Sequence, residues 1–173
     1  MRNDHIMVDL ETADNVPTAA VVAIGAVVFA GPNRGVTFYA AVDLQSCLSA
    51  GLTMGAGTMD WWGRQSAEAR AVFDDPQRLG ILEALQAFHR FVSPLSEPKV
   101  WGNGASFDNA ILSNAYRACG VPLPWKFWND RCYRTAAARI PQKRRQQGTH
   151  HNALDDAISQ ADHLLEHGRD GIV

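Results

Sequence analysis

The chain has 173 residues, of which 46% are apolar and 20% charged, enough to bury a core as a single domain over 1–173 without cross-links. Its three cysteines, Cys47, Cys119 and Cys132, are odd in number and have no paired spacing, which argues against a disulfide framework or a zinc knuckle and fits a reducing compartment. With no signal peptide and no apolar run long enough to span a membrane, the expectation is a cytoplasmic protein with no membrane contact, and a net charge of −2 does not advertise a polyanionic partner.

Ile6 to Leu10 is a short apolar run suited to a buried strand. Ala19 to Phe29 is longer and rich in Val and Ile, and Gly25 within it marks a bulge or a close approach. Gly31-Pro32-Asn33-Arg34-Gly35 has hairpin-turn composition, so Val36 to Val42 returns as a third strand. Thr58 is a candidate cap for a helix through Trp61 and Trp62, with a second helix over Ala67 to Phe73. Leu79 to Val92 carries Leu82, Leu85, Phe88 and Val92 at the spacing of one helix face. Lys99 to Trp101 reads as a short strand before the turn Gly102-Asn103-Gly104. Phe107 to Cys119 is helical and stops at Gly120, with Pro122 and Pro124 beyond. Arg131 to Arg139 predicts a short helix and Asn152 to His167 a long one, whose buried stripe is expected at Leu154, Ile158, Ala161 and Leu165. A β-meander followed by helices with strand returns predicts an α/β fold, with helices flanking a mixed sheet.

Three places carry chemistry. In Asp9-Leu10-Glu11-Thr12 the alternation of a strand puts Asp9 and Glu11 on one face. Two carboxylates about 7 Å apart repel unless a cation lies between them, so the pair suits either a solvated strand edge or a divalent-ion site. In Ser106-Phe107-Asp108-Asn109, Asp108 falls at the start of a helix, a position that also suits a capping role. In His150-His151-Asn152-Ala153-Leu154-Asp155-Asp156, both His150 with Asp155 and His151 with Asp156 have the same spacing. Adjacent residues differ by about 100° on a helix, so one aspartate faces a given site. Asp155 shares its face with Ser159, Asp162 and Glu166, the side expected to be solvated, and Asp156 is the preferred member. The basic run Gln142-Lys143-Arg144-Arg145-Gln146-Gln147 suits a solvated loop or a track for phosphates.

In order, Asp9-x-Glu11-Thr12, Phe107-Asp108 and His151-x-Ala153-x-x-Asp156-Ala157 resemble the three motifs of the DEDDh 3′→5′ exonucleases, over nearly the whole chain. Trp61-Trp62-Gly63-Arg64-Gln65-Ser66 and Val100 to Asp108 look like the small RNase-T-like branch, which includes bacterial exoribonucleases and phage exonucleases. In the related DEDDy branch a tyrosine stands four residues before the last Asp; here that position is Asn152. The family pattern also places the register on His151 and Asp156.

The resemblance implies a ribonuclease-H-like fold, a mixed five-stranded sheet with its second strand antiparallel. It implies two Mg²⁺ ions, for which Mn²⁺ can substitute, held by Asp9, Glu11, Asp108 and Asp156, with His151 as general base swinging in from its loop. An unperturbed imidazole pKa of about 6.5 suits that task. Leu10, Thr12, Trp62, Gln65 and Phe107 are the candidate substrate contacts, with Phe107 either stacking on a base or anchoring its helix, and Trp61 expected in the core. His150 is expected to play a supporting or structural part. The implied partner is single-stranded or 3′-overhanging nucleic acid, RNA before DNA, and homodimers are common among such proteins. Two rivals are a silent binding module on the same fold and a phosphatase using His150 and His151 as metal ligands. Against the second, adjacent histidines rarely aim at one ion, and no third His or Cys lies at ligand spacing.

Overall fold

Alternation along the first strand sets the architecture. In β1 (His5–Thr12) Ile6, Val8 and Leu10 join the larger apolar core on one side of the sheet, while Met7 joins a smaller core on the other. Asp9 and Glu11 share the face of Met7, beyond the point where apolar packing ends. In the computed structural model, which describes residues 5–31, 33–104 and 106–168, β1 is followed by β2 (Val21–Ala30), β3 (Asn33–Ala41), α1 (Leu44–Ser49), α2 (Ala56–Trp62), α3 (Ala67–Arg70), α4 (Ile81–Val92), β4 (Lys99–Gly102), α5 (Asp108–Ala118), β5 (Asp130–Cys132), α6 (Tyr133–Ala137) and α7 (Ala153–His167). Pro32 of the predicted hairpin and Ala105 of the segment before Asp108 lie outside the described residues. Among the described residues no helix is long and apolar enough to cross a membrane.

The sheet order is β3-β2-β1-β4-β5. β2 runs antiparallel to β1 and β3, whereas β4 is parallel to β1 and β5. This is the mixed five-stranded sheet with an antiparallel second strand. Chain connectivity reverses between β1 and β4, and ligands of open α/β sheets bind at the carboxyl ends of strands at such a switch. The pairing of β1 with β4 covers only His5 to Met7. Beyond Met7 the strands part, and the amide of Leu10 is taken instead by the carboxylate of Asp108 on α5, at 3.1 Å.

Several elements differ from the sequence expectation. Asp130 to Cys132 is a strand, so the helix predicted from Arg131 begins only at Tyr133; a parallel edge strand of three residues carries no readable alternation. α1 was not foreseen, and is capped by Asp43, which accepts from the amide of Ser46. Gly55, not Thr58, precedes α2. On α4 the predicted Leu85, Phe88 and Val92 are buried, but Leu82 is 45% exposed and Ile81 and Ala84 complete the buried face.

The largest correction concerns α7. Of the predicted stripe Ala161 is fully buried, whereas Leu154, Ile158 and Leu165 are half-buried, and the buried face is completed by Ala153, Ala157 and Leu164 with Asp156 and Gln160. At its start the helix lies so close to the sheet that only small residues fit beneath it. Gly25, the cross-strand partner of Asp9, shows why: a Cβ there would lie 2.1 Å from the carbonyl carbon of Ala153 and 2.2 Å from the nitrogen of Leu154. Gly25 is therefore a close-approach glycine. Gly25→Ala is expected to push the start of α7 off the sheet and lower stability by about 3 kcal/mol, the upper end of core overpacking, as read by urea unfolding.

Candidate active site

Above the parting of β1 and β4 lies a cavity of about 570 Å³ bordered by Asp9, Glu11, Trp61, Phe107, Arg144, His150, His151, Asp156 and Gln160 among others. Asp9 and Glu11 reach it from β1, which runs two residues past Leu10 before it ends. Asp156 reaches it from the first turns of α7, whose start is capped by Asn152 accepting from the amides of Leu154 and Asp155. One carboxylate oxygen each from Asp9, Glu11 and Asp156 lie within 4.8 Å of one another. Asp108 lies behind the wall, 1% exposed, its two oxygens accepting the amides of Leu10 and of Asn103, the latter at 2.7 Å.

The carboxylates of Asp9, Glu11 and Asp156 and a fourth at their back repel one another, and Asp9, Glu11 and Asp108 are harder to ionise than usual. Burial first, then the charges of Asp108, Glu11 and Asp156, hold Asp9 well above the ordinary carboxyl range; the amide of Gln160, donating to Asp9 Oδ1 at 2.6 Å, pulls the other way. Burial and then Asp156 and Asp108 push Glu11 up to about 8. Burial raises Asp108 to about 6 against the amides of Leu10 and Asn103, which favour its charged form. Such a cluster takes up protons or cations to be stable.

His151 stands at the rim, half-buried, with φ at +63°. Its amide donates to Asp156 Oδ2 at 3.0 Å, and its ring meets that of Trp61 edge-on at 4.8 Å. Burial and the neighbouring His150 lower its pKa, more than Asp156 raises it. The loop before it is tied down twice more, by the amide of Gln147 on Ser159 Oγ and the amide of Thr149 on Asp155. The face of α7 carrying Asp155 and Ser159, expected to be solvated, is thus covered by this loop. Asp155 turns away from the carboxylate cluster and serves the loop.

Both tryptophans border the cavity. Trp62 is 2% exposed, and its indole donates to the carbonyl of Thr12, fixing the end of β1. Trp61, expected in the core, is the one against His151. Gln65 does not border the cavity; at the end of α2 its amide turns back to the carbonyl of Trp61. Leu10, Thr12, Trp62 and Phe107 do border it, and Phe107 also packs on the larger core, so both of its expected roles have a geometric basis. Of the basic run, Arg144 faces the cavity with its guanidinium 3.5 Å from Asp156 Oδ1, while Lys143 and Arg145 line a separate groove beside α7. Gln160 was not singled out from sequence; its signal was an amide on the packed side of α7, one turn after Asp156.

A protein-family model described as the 3′-5′ exoribonuclease Rv2179c-like domain matches residues 4–167. The chain belongs to this family. This agrees with the resemblance to the DEDDh 3′→5′ exonucleases. Among solved structures, it is similar to the nuclease domain of 3′hExo, a DEDDh family member bound to rAMP, with 12% identity, TM-score 0.63 and coverage of 99% of this chain and 94% of that one. It is also similar to Escherichia coli exonuclease I in complex with a dT13 oligonucleotide (13% identity, TM-score 0.66), covering 95% of this chain but 41% of that one. Cell-death related nuclease 4 matches at 15% identity and TM-score 0.60, over 95% of this chain and 63% of that one. These likenesses are of fold, and the chain spans less than half the length of exonuclease I. No curated protein matches the sequence in a search.

The raised carboxyls make stability depend on pH in a definite direction. Protons held more tightly by the folded cluster than by the unfolded chain stabilise the fold fully below the ordinary glutamate value of 4.5, and the gain is lost as pH rises through about 8. Without divalent ions, the melting temperature is expected to fall across that window. Added Mg²⁺ should restore it, with a larger effect at the alkaline end, as measured by thermal unfolding in chelator and in Mg²⁺.

Proposed function

We propose that the protein is a divalent-metal-dependent 3′→5′ exonuclease that releases nucleoside 5′-monophosphates from single-stranded or overhanging 3′ ends, RNA before DNA. The observation that carries this reading is the convergence of Asp9, Glu11 and Asp156 beside His151 in one cleft. The donor set fits two hard cations such as Mg²⁺ or Mn²⁺: it consists of carboxylate oxygens, and Asp156 Oδ1 is buried without a hydrogen bond. Asp9, Glu11 and Asp156 would hold the ions, with Asp108 supporting from behind. Bound there, the pair would offset charge developing at phosphorus and make water a better nucleophile.

The chain's own groups account for the rest. His151, whose lowered pKa keeps the imidazole neutral at pH 7, can accept the proton of the attacking water. The hydrogen bond its backbone amide donates to Asp156 and its contact with Trp61 hold it beside the carboxylates. Leu10 and Phe107 offer apolar surface to the terminal base. Arg144 can move its guanidinium from Asp156 to a substrate phosphate, a partner it binds in a forked geometry. The family description supports RNA as substrate. Exonuclease I, a fold relative, is seen with DNA oligonucleotides, which makes the comparison of both sugars part of the test.

The test is digestion of matched 5′-labelled RNA and DNA single strands, with Mg²⁺ and with chelator. A ladder shortening from the 3′ end, in Mg²⁺ alone and faster on RNA, is the expected result; no cleavage, or internal cleavage, defeats the reading. Asp156→Asn should reduce hydrolysis to background, and His151→Ala should lower kcat about 10²–10⁴-fold, both with the fold retained by circular dichroism. Asp155→Asn should leave the chemistry in place. Arg144→Ala should raise KM about tenfold, the worth of one charge-assisted hydrogen bond, with a smaller change in kcat in steady-state assays.

A further inference from the structure

His150 holds neither ion nor substrate in the function proposed above, yet its side chain is not turned away from the site. Successive residues of an extended chain point to opposite sides. The left-handed backbone at His151, φ +63°, breaks that alternation, and the two imidazoles come together with ring centroids 3.9 Å apart. One nitrogen of each and one oxygen of Asp156 lie within 4.8 Å of one another. The objection that neighbouring histidines do not aim at one ion therefore does not hold in this fold.

Two imidazoles and a carboxylate form a different donor set from the oxygens of Asp9 and Glu11. Mg²⁺ prefers hard oxygen ligands, whereas imidazole favours Zn²⁺ and its neighbours in the transition series. Zn²⁺ binds nitrogen at about 2.0–2.1 Å and carboxylate oxygen at about 2.0–2.2 Å, so three tetrahedral ligands sit roughly 3.3 Å apart. The observed spacing closes to that by small side-chain rotations, since His150 is exposed and His151 half-buried. Arg144, whose side chain is 24% exposed, has room to leave Asp156 for solvent.

We propose that His150, His151 and Asp156 form a transition-metal site, selective for Zn²⁺ over Mg²⁺, whose occupation shuts the cleft down. A Zn²⁺ ion there holds the imidazole of His151 so that it cannot take a proton, and draws Asp156 away from Asp9 and Glu11. The binding claim depends on geometry alone. The inhibitory claim rests on the catalytic roles given to His151 and Asp156.

The test has two arms. In the first, Zn²⁺ is titrated into oligonucleotide hydrolysis at saturating Mg²⁺. The wild-type chain should be inhibited, and His150→Ala, with each rate taken relative to that protein's own rate in Mg²⁺ alone, should need at least about tenfold more Zn²⁺ for half-inhibition. In the second, Co²⁺ replaces Zn²⁺ as a spectroscopic probe, in excess Mg²⁺ and without substrate. The wild-type chain should give the intense visible absorption of a nitrogen-ligated tetrahedral ion, and His150→Ala should lose it. Equal Zn²⁺ sensitivity of the two proteins, equal Co²⁺ spectra, or stimulation of hydrolysis by Zn²⁺ would overturn the proposal. If Mg²⁺ supports no hydrolysis at all, the exonuclease reading fails and the Co²⁺ arm still decides the site.

Discussion

The start of α7 rests directly on the backbone of β2 at Gly25, and Gly25 is paired with Asp9 across β1. That contact joins the two halves of the carboxylate cluster. Asp9 and Glu11 are carried by a strand and Asp156 by a helix, elements with no sequence proximity, and the distance between them is set by how closely helix and sheet can approach. The small residues Ala153, Ala157 and Ala161 along the helix continue the same close seam. A bulkier seam would leave every acidic side chain in place on its own element and still dissolve the cluster.

Against this geometry works electrostatic repulsion. Glu11 held up to about 8 and Asp9 well above the carboxyl range show a site that folding makes unfavourable for negative charge. Packing in two cores opposes that repulsion, and small devices moderate it: the Gln160 amide on Asp9, the backbone amides on Asp108 and Arg144 beside Asp156. Strain concentrated where a ligand is expected is the usual mark of a functional cleft.

Much of this was legible in the sequence. Four strands, α4, α5, α7 and the spacing Asp9-x-Glu11, Phe107-Asp108 and His151 to Asp156 could be read because long elements have a period and the motifs sit at their ends. What escaped reading depended on neighbours distant in the chain. β5 is short and polar, and becomes a strand only because β4 offers an edge. The buried face of α7 was assigned only in part, at Ala161, because large apolar residues usually mark a core side, whereas here proximity to the sheet selects alanine. Trp61 and Trp62 are adjacent letters whose difference lies in which one meets the carbonyl of Thr12. Arg144 could be seen as part of a basic run but not as the member turned inward.

The left-handed backbone at His151 also bears on how the site can be dissected. Most side chains resist that conformation by about 1–2 kcal/mol, β-branched ones more, while asparagine and glycine tolerate it. Replacement by valine or threonine would therefore perturb the chain reversal as well as remove the imidazole, confounding two causes of inactivity. Asparagine keeps the local conformation and deletes the base, so among replacements at this position it separates chemistry from backbone geometry most cleanly.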